Sequence, residues 1–140
     1  YAQGIGEQLS PIELPARELL LIKPNVHADT REVYQHPLLV RDHVPLDMGA
    51  SALSEQLKIL NARTTLSNDM QAAAFAIAPK IKRVHDTLQH LVPHTYVRMS
   101  GSGATVFACP QNSAERDALN QWLKTCPEDW QHRWCHTLSE

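Results

Sequence analysis

A Gly-Ser-Gly sequence between two strand-like segments constrains the fold of this chain more than any other feature. The glycines are Gly101 and Gly103, and apolar segments of strand length lie on either side, at 95–99 and 104–109. Glycine adopts positive φ at little steric cost and lets the backbone approach a neighbour closely. The residues therefore predict a compact loop between two strands. Successive amides in such a turn can also form a concavity that binds an anion, so a plain turn and a phosphate site both fit this loop.

The composition is that of an ordinary globular domain. The 140 residues have the length of one domain, 43% of them are hydrophobic, and the formal net charge is −2. The lysines and arginines are scattered, so we expect no nucleic-acid partner. No apolar run approaches the ~20 residues of a membrane span, so we expect no membrane partner either. The three cysteines follow no disulfide-framework spacing, which favours a cytoplasmic location.

The order of predicted elements indicates an α+β fold. Strands are predicted at 18–23, 95–99, 104–109 and 132–138, with a short one at 8–12, and helices at 30–36, 51–60, 68–78, 79–92 and 113–124. Helices and strands in this order favour a two-layer domain, in which helices pack on one face of an antiparallel sheet of ferredoxin-like type. We expect residues 1–140 to form this single domain.

Local signals place several helix ends. Asn68 or Ser67 is predicted to cap the helix at 68–78, Asp29 or Thr30 the helix at 30–36, and Ser113 the helix at 113–124. Pro79 is unfavourable inside a helix but is favoured in a first turn. Residues 68–92 are therefore predicted to form two helices that meet at this proline.

Two motifs resemble the GHMP kinases. The run Met99-Ser100-Gly101-Ser102-Gly103-Ala104-Thr105-Val106-Phe107 is similar to the C-terminal glycine motif of that family. The sequence Ser67-Asn68-Asp69 is similar to its Asn-Asp element. Residues 1–7, together with Lys23-Pro24-Asn25, Thr30 and Tyr34, most resemble the members that use ATP to phosphorylate the 2-hydroxyl of a cytidine-diphosphate-linked sugar alcohol in non-mevalonate isoprenoid biosynthesis.

The resemblance implies roles for five residues. Gly101, Ser102 and Gly103 would lie beside the triphosphate loop and the substrate phosphates, where backbone amides steady negative charge. Thr30 would touch the substrate, and Tyr34 would stack on the cytosine ring where other members often carry Phe. A structural turn at 101–103 and a plain capped helix with a half-buried Tyr34 are the alternatives.

The resemblance covers only the C-terminal half of such an enzyme. The family's ATP loop and its catalytic aspartate and lysine belong to an N-terminal half, and these motifs are absent from the 140 residues. ATP with Mg²⁺ would bind mainly there, this chain's partner would be its own N-terminal domain, and no catalytic residue is assigned here. We therefore expect a fragment or processed piece of a bacterial enzyme that is inactive alone.

Two other functions remain open. The chain could belong to another GHMP kinase, of the homoserine or mevalonate type, for which a stacking ring at Tyr34 has no use. It could also be a stand-alone ferredoxin-like module that binds small ligands. An upstream glycine-rich loop and aspartate in the gene would exclude this second alternative.

No metal site is predicted. His90 and His94 are four residues apart, but Pro93 lies between them and ends the helix. A second group lacks any Cys-x-x-Cys pair and comprises Cys126, His132, Cys135 and His136. The three tryptophans are expected to pack in the core and at its rim.

Overall fold

The computed structural model of the chain describes residues 1–41 and 49–138. Within these ranges the structure has six strands, which are β1 (Ala2–Gln3), β2 (Gln8–Leu9), β3 (Glu18–Pro24), β4 (Tyr96–Met99), β5 (Val106–Cys109) and β6 (Trp130–His136). The described residues also form five helices, which are α1 (Thr30–Gln35), α2 (Ala50–Lys58), α3 (Gln71–Ile77), α4 (Pro79–Leu91) and α5 (Ser113–Leu123). In this part of the chain, no helix is long and apolar enough to cross a membrane.

A four-stranded antiparallel sheet has the order β4-β5-β3-β6, and β1 pairs with β2 in a separate hairpin. Ile22 lies opposite both Val106 and His132, and Met99 also lies opposite Val106. The ends of β3 and β4 therefore share one edge of the sheet with the starts of β5 and β6. The glycine loop between β4 and β5 lies at this edge.

The core lies between the four-stranded sheet and the helices on one of its faces. Leu20 and Ile22 alternate along β3 and are fully buried on that face. Ile81, Val84 and Leu88 form a stripe at helical spacing on α4 and are also fully buried. Burial of each such side chain stabilises the fold by about 1.5–3 kcal/mol. Helices over an antiparallel sheet match the predicted two-layer α+β class.

The predicted proline break is confirmed. Helix α4 begins at Pro79, and Ala78 caps α4 at its start and α3 at its end. The prediction of an Asp29 cap is also confirmed, because its carboxylate accepts from the N–H groups of Arg31 and Glu32 at 2.8 and 3.1 Å. Asp29 thereby fixes the start of α1.

Four local predictions are wrong in detail. Helix α3 begins at Gln71, and neither Asn68 nor Ser67 caps it; the residue at its N-cap is Met70, which donates its N–H to Asn68 Oδ1 at 3.0 Å. Because of this local turn, α3 begins three residues later than predicted.

Strand β6 begins at residue 130 rather than 132, and the strand expected at 8–12 covers only 8–9. Helix α5 is capped by the Asn112 side chain, which lies one residue before the expected Ser113.

Candidate functional site

The glycine loop has a fixed base and an open tip. The Ser100 N–H donates to the Thr105 carbonyl at 2.8 Å, and the Gly103 N–H donates to the Ser100 carbonyl at 3.0 Å. Within the described ranges, the N–H groups of Gly101 and Ser102 have no hydrogen-bond partner. Two neighbouring amides at the tip are therefore available to an anion.

The two glycines are needed for different reasons. Both have positive φ, +55° at Gly101 and +99° at Gly103. A Cβ on Gly103 would lie 3.1 Å from both Ile81 Cδ1 and Met99 Sδ, whereas a Cβ on Gly101 would meet no atom within 4 Å. Gly103 thus packs the loop against the core, and Gly101 faces open space.

Asn68 joins the loop to the start of α3. Its Nδ2 donates to the carbonyls of Met99 and Gly101 at 2.9 and 2.7 Å. Its Oδ1 accepts from the Met70 N–H at 3.0 Å. The amide therefore holds three backbone groups, two of which belong to the loop or its supporting strand. The Ser-Asn-Asp pattern identifies Asn68 as a polar residue before a helix, but its partners in the loop are not visible in the local sequence.

A hydrogen bond joins the loop tip to α1. Thr30 Oγ1 and Ser102 Oγ lie 2.8 Å apart, although 72 positions separate these residues in sequence. Thr30 is the first residue of α1, which Asp29 caps. Two of the residues expected at the substrate site are therefore in direct contact, and their hydroxyl groups are exposed.

Tyr34 lies one turn beyond Thr30 on α1. Residues four apart in a helix lie on the same side of it, so the phenol ring and the Thr30 hydroxyl are neighbours on that surface. The side chain of Tyr34 is 55% exposed, while Val33 beside it is fully buried and anchors the helix. The Arg41 guanidinium donates to the Tyr34 carbonyl. The ring is thus held on a fixed helix and leaves its surface open to a planar ligand.

A cleft of about 770 Å³ adjoins the loop at Gly103 and Ala104. Its other lining residues come from the end of β3 and the start of β6, and are Lys23, Pro24, Asn25, Val26, His27, Glu128, Asp129 and Gln131. This volume is typical of small-molecule sites. Asp129 forms an ion pair with Lys80 at 3.3 Å. The sequence does not predict this cleft, because the residues on its two sides are brought together only by the register of β3 and β6.

The structure thus brings the predicted site residues to one edge of the sheet. Gly101, Ser102 and Gly103 form the loop, Thr30 contacts its tip, and Tyr34 lies on the same helix surface as Thr30. Among residues 1–41 and 49–138, no group of three or more His, Cys, Asp or Glu side chains could hold a metal ion.

Comparison with known proteins assigns the family. The model described as GHMP kinases C terminal matches residues 50–128, which is more than half of the chain. The chain belongs to the GHMP kinase family. The match includes the glycine loop and Asn68, so the resemblance predicted from these motifs is confirmed. Thr30 and Tyr34 lie before the matched range.

The chain is similar to curated kinases over nearly all of its length. It is 35% identical over 133 residues to the 4-diphosphocytidyl-2-C-methyl-D-erythritol kinase of Polynucleobacter asymbioticus. That alignment covers 93% of this chain and 42% of the relative. It is 34% identical over 141 residues to the kinase of the same name from Burkholderia cenocepacia, with 100% of this chain and 46% of the relative covered. The chain thus spans less than half the length of these relatives.

Two crystal structures share the fold. A 4-(cytidine 5'-diphospho)-2C-methyl-D-erythritol kinase aligns with a TM-score of 0.67 and 23% identity over 96% of this chain and 48% of that one. A homoserine kinase from Cytophaga hutchinsonii aligns with a TM-score of 0.58 and 14% identity over 92% of this chain and 44% of that one. These likenesses confirm the α+β fold class, which is that of the GHMP kinase C-terminal domain.

Proposed function

We propose that this chain is the C-terminal, substrate-binding part of a kinase that transfers the γ-phosphoryl group of ATP to the 2-hydroxyl of 4-diphosphocytidyl-2-C-methyl-D-erythritol. The names of its relatives support this substrate. The observation that carries the proposal is the 2.8 Å contact between Thr30 and Ser102. It joins the start of α1, the helix that carries the exposed ring of Tyr34, to a loop suited to phosphate.

The loop would bind the charged part of the substrate. Phosphoryl transfer depends on positioning and on stabilising negative charge at the transferred group. The free N–H groups of Gly101 and Ser102 are fixed donors, since the base of the loop and Asn68 hold them in place. Such donors need no reorganisation when charge develops. The hydroxyl groups of Thr30 and Ser102 add two further groups that can bond to a phosphate or a sugar oxygen.

Tyr34 would hold the cytosine ring. Stacking of a base on an aromatic side chain contributes about 1–3 kcal/mol. The ring is exposed on a helix whose start is capped and whose Val33 is buried, so little order has to be gained on binding. A kinase that phosphorylates homoserine or mevalonate handles no base and has no use for this ring.

ATP, Mg²⁺ and the catalytic groups would belong to the N-terminal half of the enzyme, which is the partner of this domain. The described residues at the loop supply amides and hydroxyls, and the described ranges contain no group of three or more His, Cys, Asp or Glu side chains that could hold a metal ion, so we assign the Mg²⁺ ligands to the N-terminal half. We assign the protein to the bacterial cytoplasm, where its relatives' nucleotide-dependent chemistry would take place.

A substrate panel tests the proposal. The full-length protein is incubated with Mg²⁺, ATP and one alcohol at a time: 4-diphosphocytidyl-2-C-methyl-D-erythritol, homoserine or mevalonate. We expect ADP release and a new phosphomonoester only with the cytidine-linked alcohol, and no turnover by residues 1–140 alone. Turnover of homoserine or mevalonate instead would contradict the proposed substrate. Activity of the 140-residue chain by itself would contradict the assignment of the catalytic groups to another part of the enzyme.

A further inference from the structure

Arg98 lies on β4, three residues before Gly101. β4 is an outer strand of the four-stranded sheet, and successive side chains along a strand point to opposite faces. Val97 and Met99 are buried in the core on the face that the helices cover. Arg98 and Tyr96 therefore lie on the other face, where the guanidinium is partly buried.

The Arg98 side chain holds the segment 64–66 against β4. Its Nε donates to the Leu66 carbonyl at 3.3 Å, and its Nη2 donates to the Thr64 carbonyl at 3.2 Å. The Tyr96 hydroxyl also donates to the Leu66 carbonyl, at 3.1 Å, and the guanidinium lies 4.5 Å from the centroid of the Tyr96 ring. A guanidinium can serve two carbonyls at once, because its donors form a rigid planar fork. Side chains of β4 thus fix two backbone groups of this segment.

The same segment leads to the residues that hold the glycine loop. Asn68 lies two residues beyond its end, and two residues of chain span at most about 7 Å. Asn68 Nδ2 donates to the carbonyls of Met99 and Gly101. Gln71 Oε1 accepts from the Met99 N–H at 3.0 Å. Fixing the segment 64–66 therefore limits where the two amide side chains can lie, and these limit where the loop can lie.

We propose that Arg98 is a positioning residue for the glycine loop: it holds the segment 64–66 on β4, and thereby places Asn68 at the carbonyl of Gly101 and orients the free amides of the loop tip. In this role it acts through backbone carbonyls rather than through contact with the substrate. The inference rests on the proposed function only in taking the loop as the part that meets phosphate. Misplaced amides stabilise developing charge less, because the effect of fixed donors depends on their geometry.

Three substitutions separate the donor fork from the positive charge. Arg98→Met keeps a long side chain and removes both the fork and the charge. Arg98→Lys keeps the charge, but one ammonium group cannot reproduce the planar fork that serves the carbonyls of Thr64 and Leu66. Tyr96→Phe removes the other donor to the Leu66 carbonyl and keeps the ring, so it weakens the same contact with little change in shape.

Arg116→Met is the matched control. The Arg116 guanidinium also forms a fork, to the two carboxylate oxygens of Glu18 at 2.6 and 2.9 Å, and lies over an aromatic ring, 5.3 Å from the centroid of Trp134. Glu18 is the first residue of β3, whereas the glycine loop lies beside the last residues of that strand. The control therefore removes a similar set of contacts at a distance from the loop.

Hydrogen–deuterium exchange of the full-length protein without ligands measures the closure of the loop. The N–H groups of Ser100 and Gly103 are hydrogen-bonded within it, so peptides that cover 99–105 report on these bonds. Well below the unfolding temperature, we expect both Arg98 variants to exchange there about fivefold faster or more, and the tyrosine variant to exchange faster by a smaller factor. Arg116→Met should exchange in these peptides like the wild type.

Steady-state kinetics of the same proteins, with Mg²⁺, ATP and 4-diphosphocytidyl-2-C-methyl-D-erythritol, measure the consequence for the reaction. We expect kcat of both Arg98 variants to fall about tenfold or more, because the loop amides are misplaced in the transition state. The KM for the cytidine-linked substrate should stay within about threefold, because Tyr34 would still hold the base. Arg116→Met should keep kcat within about twofold of the wild type.

Two results would overturn the proposal. Wild-type loop exchange and kcat in Arg98→Lys would mean that the charge, and not the donor fork, matters at this position. Loop exchange and kcat in Arg98→Met that equal those of Arg116→Met would mean that Arg98 adds only to overall stability. Exchange is measured without substrate. A wild-type protein that does not phosphorylate the cytidine-linked alcohol therefore contradicts the proposed function, while the exchange rates still decide the role of Arg98.

Discussion

At the scale of single residues, the two glycines of the loop have different structural roles. Gly103 fits between Ile81 and Met99, where a Cβ would approach both side chains to 3.1 Å. Gly101 has open space around it and requires glycine only because its φ is +55°. Gly103 packs the loop against the core, and Gly101 shapes the tip with its two free amides.

This difference predicts unequal costs for the same substitution. Gly101→Ala should lower the free energy of unfolding by about 1–2 kcal/mol, the cost of a left-handed backbone at a residue with a Cβ. Gly103→Ala should cost a further 1–3 kcal/mol or so, because the added methyl group overpacks the core. Urea denaturation of both variants measures these values. Equal losses would mean that the packing of Gly103 against Ile81 and Met99 does not restrict this position.

At the scale of elements, three side chains connect the loop to two helices. Asn68 holds it against the start of α3, and the contact between Thr30 and Ser102 holds its tip beside α1. These bonds join elements that are 31 to 72 positions apart in sequence. The geometry of the site therefore depends on helix placement as much as on the loop itself.

Asn68→Asp tests the first connection. The substitution removes two donors and places a carboxylate beside the carbonyls of Met99 and Gly101, which should lower the free energy of unfolding by about 1–3 kcal/mol. Asn120→Asp is the control, because among the described residues the Asn120 side chain only accepts, from Trp134 Nε1, and aspartate still accepts there. Urea denaturation of the two variants should give a clearly smaller loss for Asn120→Asp. A loss of the same size in both would contradict the role of Asn68.

A double-mutant cycle tests the second connection. Thr30→Val and Ser102→Ala each remove one hydroxyl of the 2.8 Å pair, so the second substitution should cost little once the first is made. We expect a coupling energy of about 0.5–1.5 kcal/mol from denaturation of the wild type, the two single variants and the double variant. Additive effects would show that the two hydroxyls do not bond in solution.

Local signals were sufficient for most elements but not for the site. The apolar run 18–23 predicts β3, and Pro79 predicts the boundary between α3 and α4, because both depend on adjacent residues. The two partners of Asn68 in the loop region depend on the register of the sheet, so the local pattern suggests a helix cap instead. The cleft beside Gly103 was missed for the same reason. Family resemblance, rather than periodicity, indicated Thr30 and Tyr34.

At the scale of the whole molecule, the buried core and the proposed substrate site lie at different parts of the sheet. The fully buried side chains of β3 and α4 lie along the covered face of the sheet, while the loop, the start of α1 and the cleft gather at one edge. That edge offers amides, hydroxyls and an aromatic ring, and we assign the phosphate donor and the catalytic groups to another part of the polypeptide. The domain is in this account one side of an active site.

The most direct test of this account replaces Tyr34 in the full-length protein. Tyr34→Ala removes the ring and should raise the KM for 4-diphosphocytidyl-2-C-methyl-D-erythritol about tenfold or more, while the KM for ATP stays unchanged. Tyr34→Phe keeps the ring and should leave both values within about twofold, since stacking needs the ring and not the hydroxyl. An unchanged KM for the cytidine-linked substrate in Tyr34→Ala, or a rise in the KM for ATP alone, would contradict the placement of the base on α1.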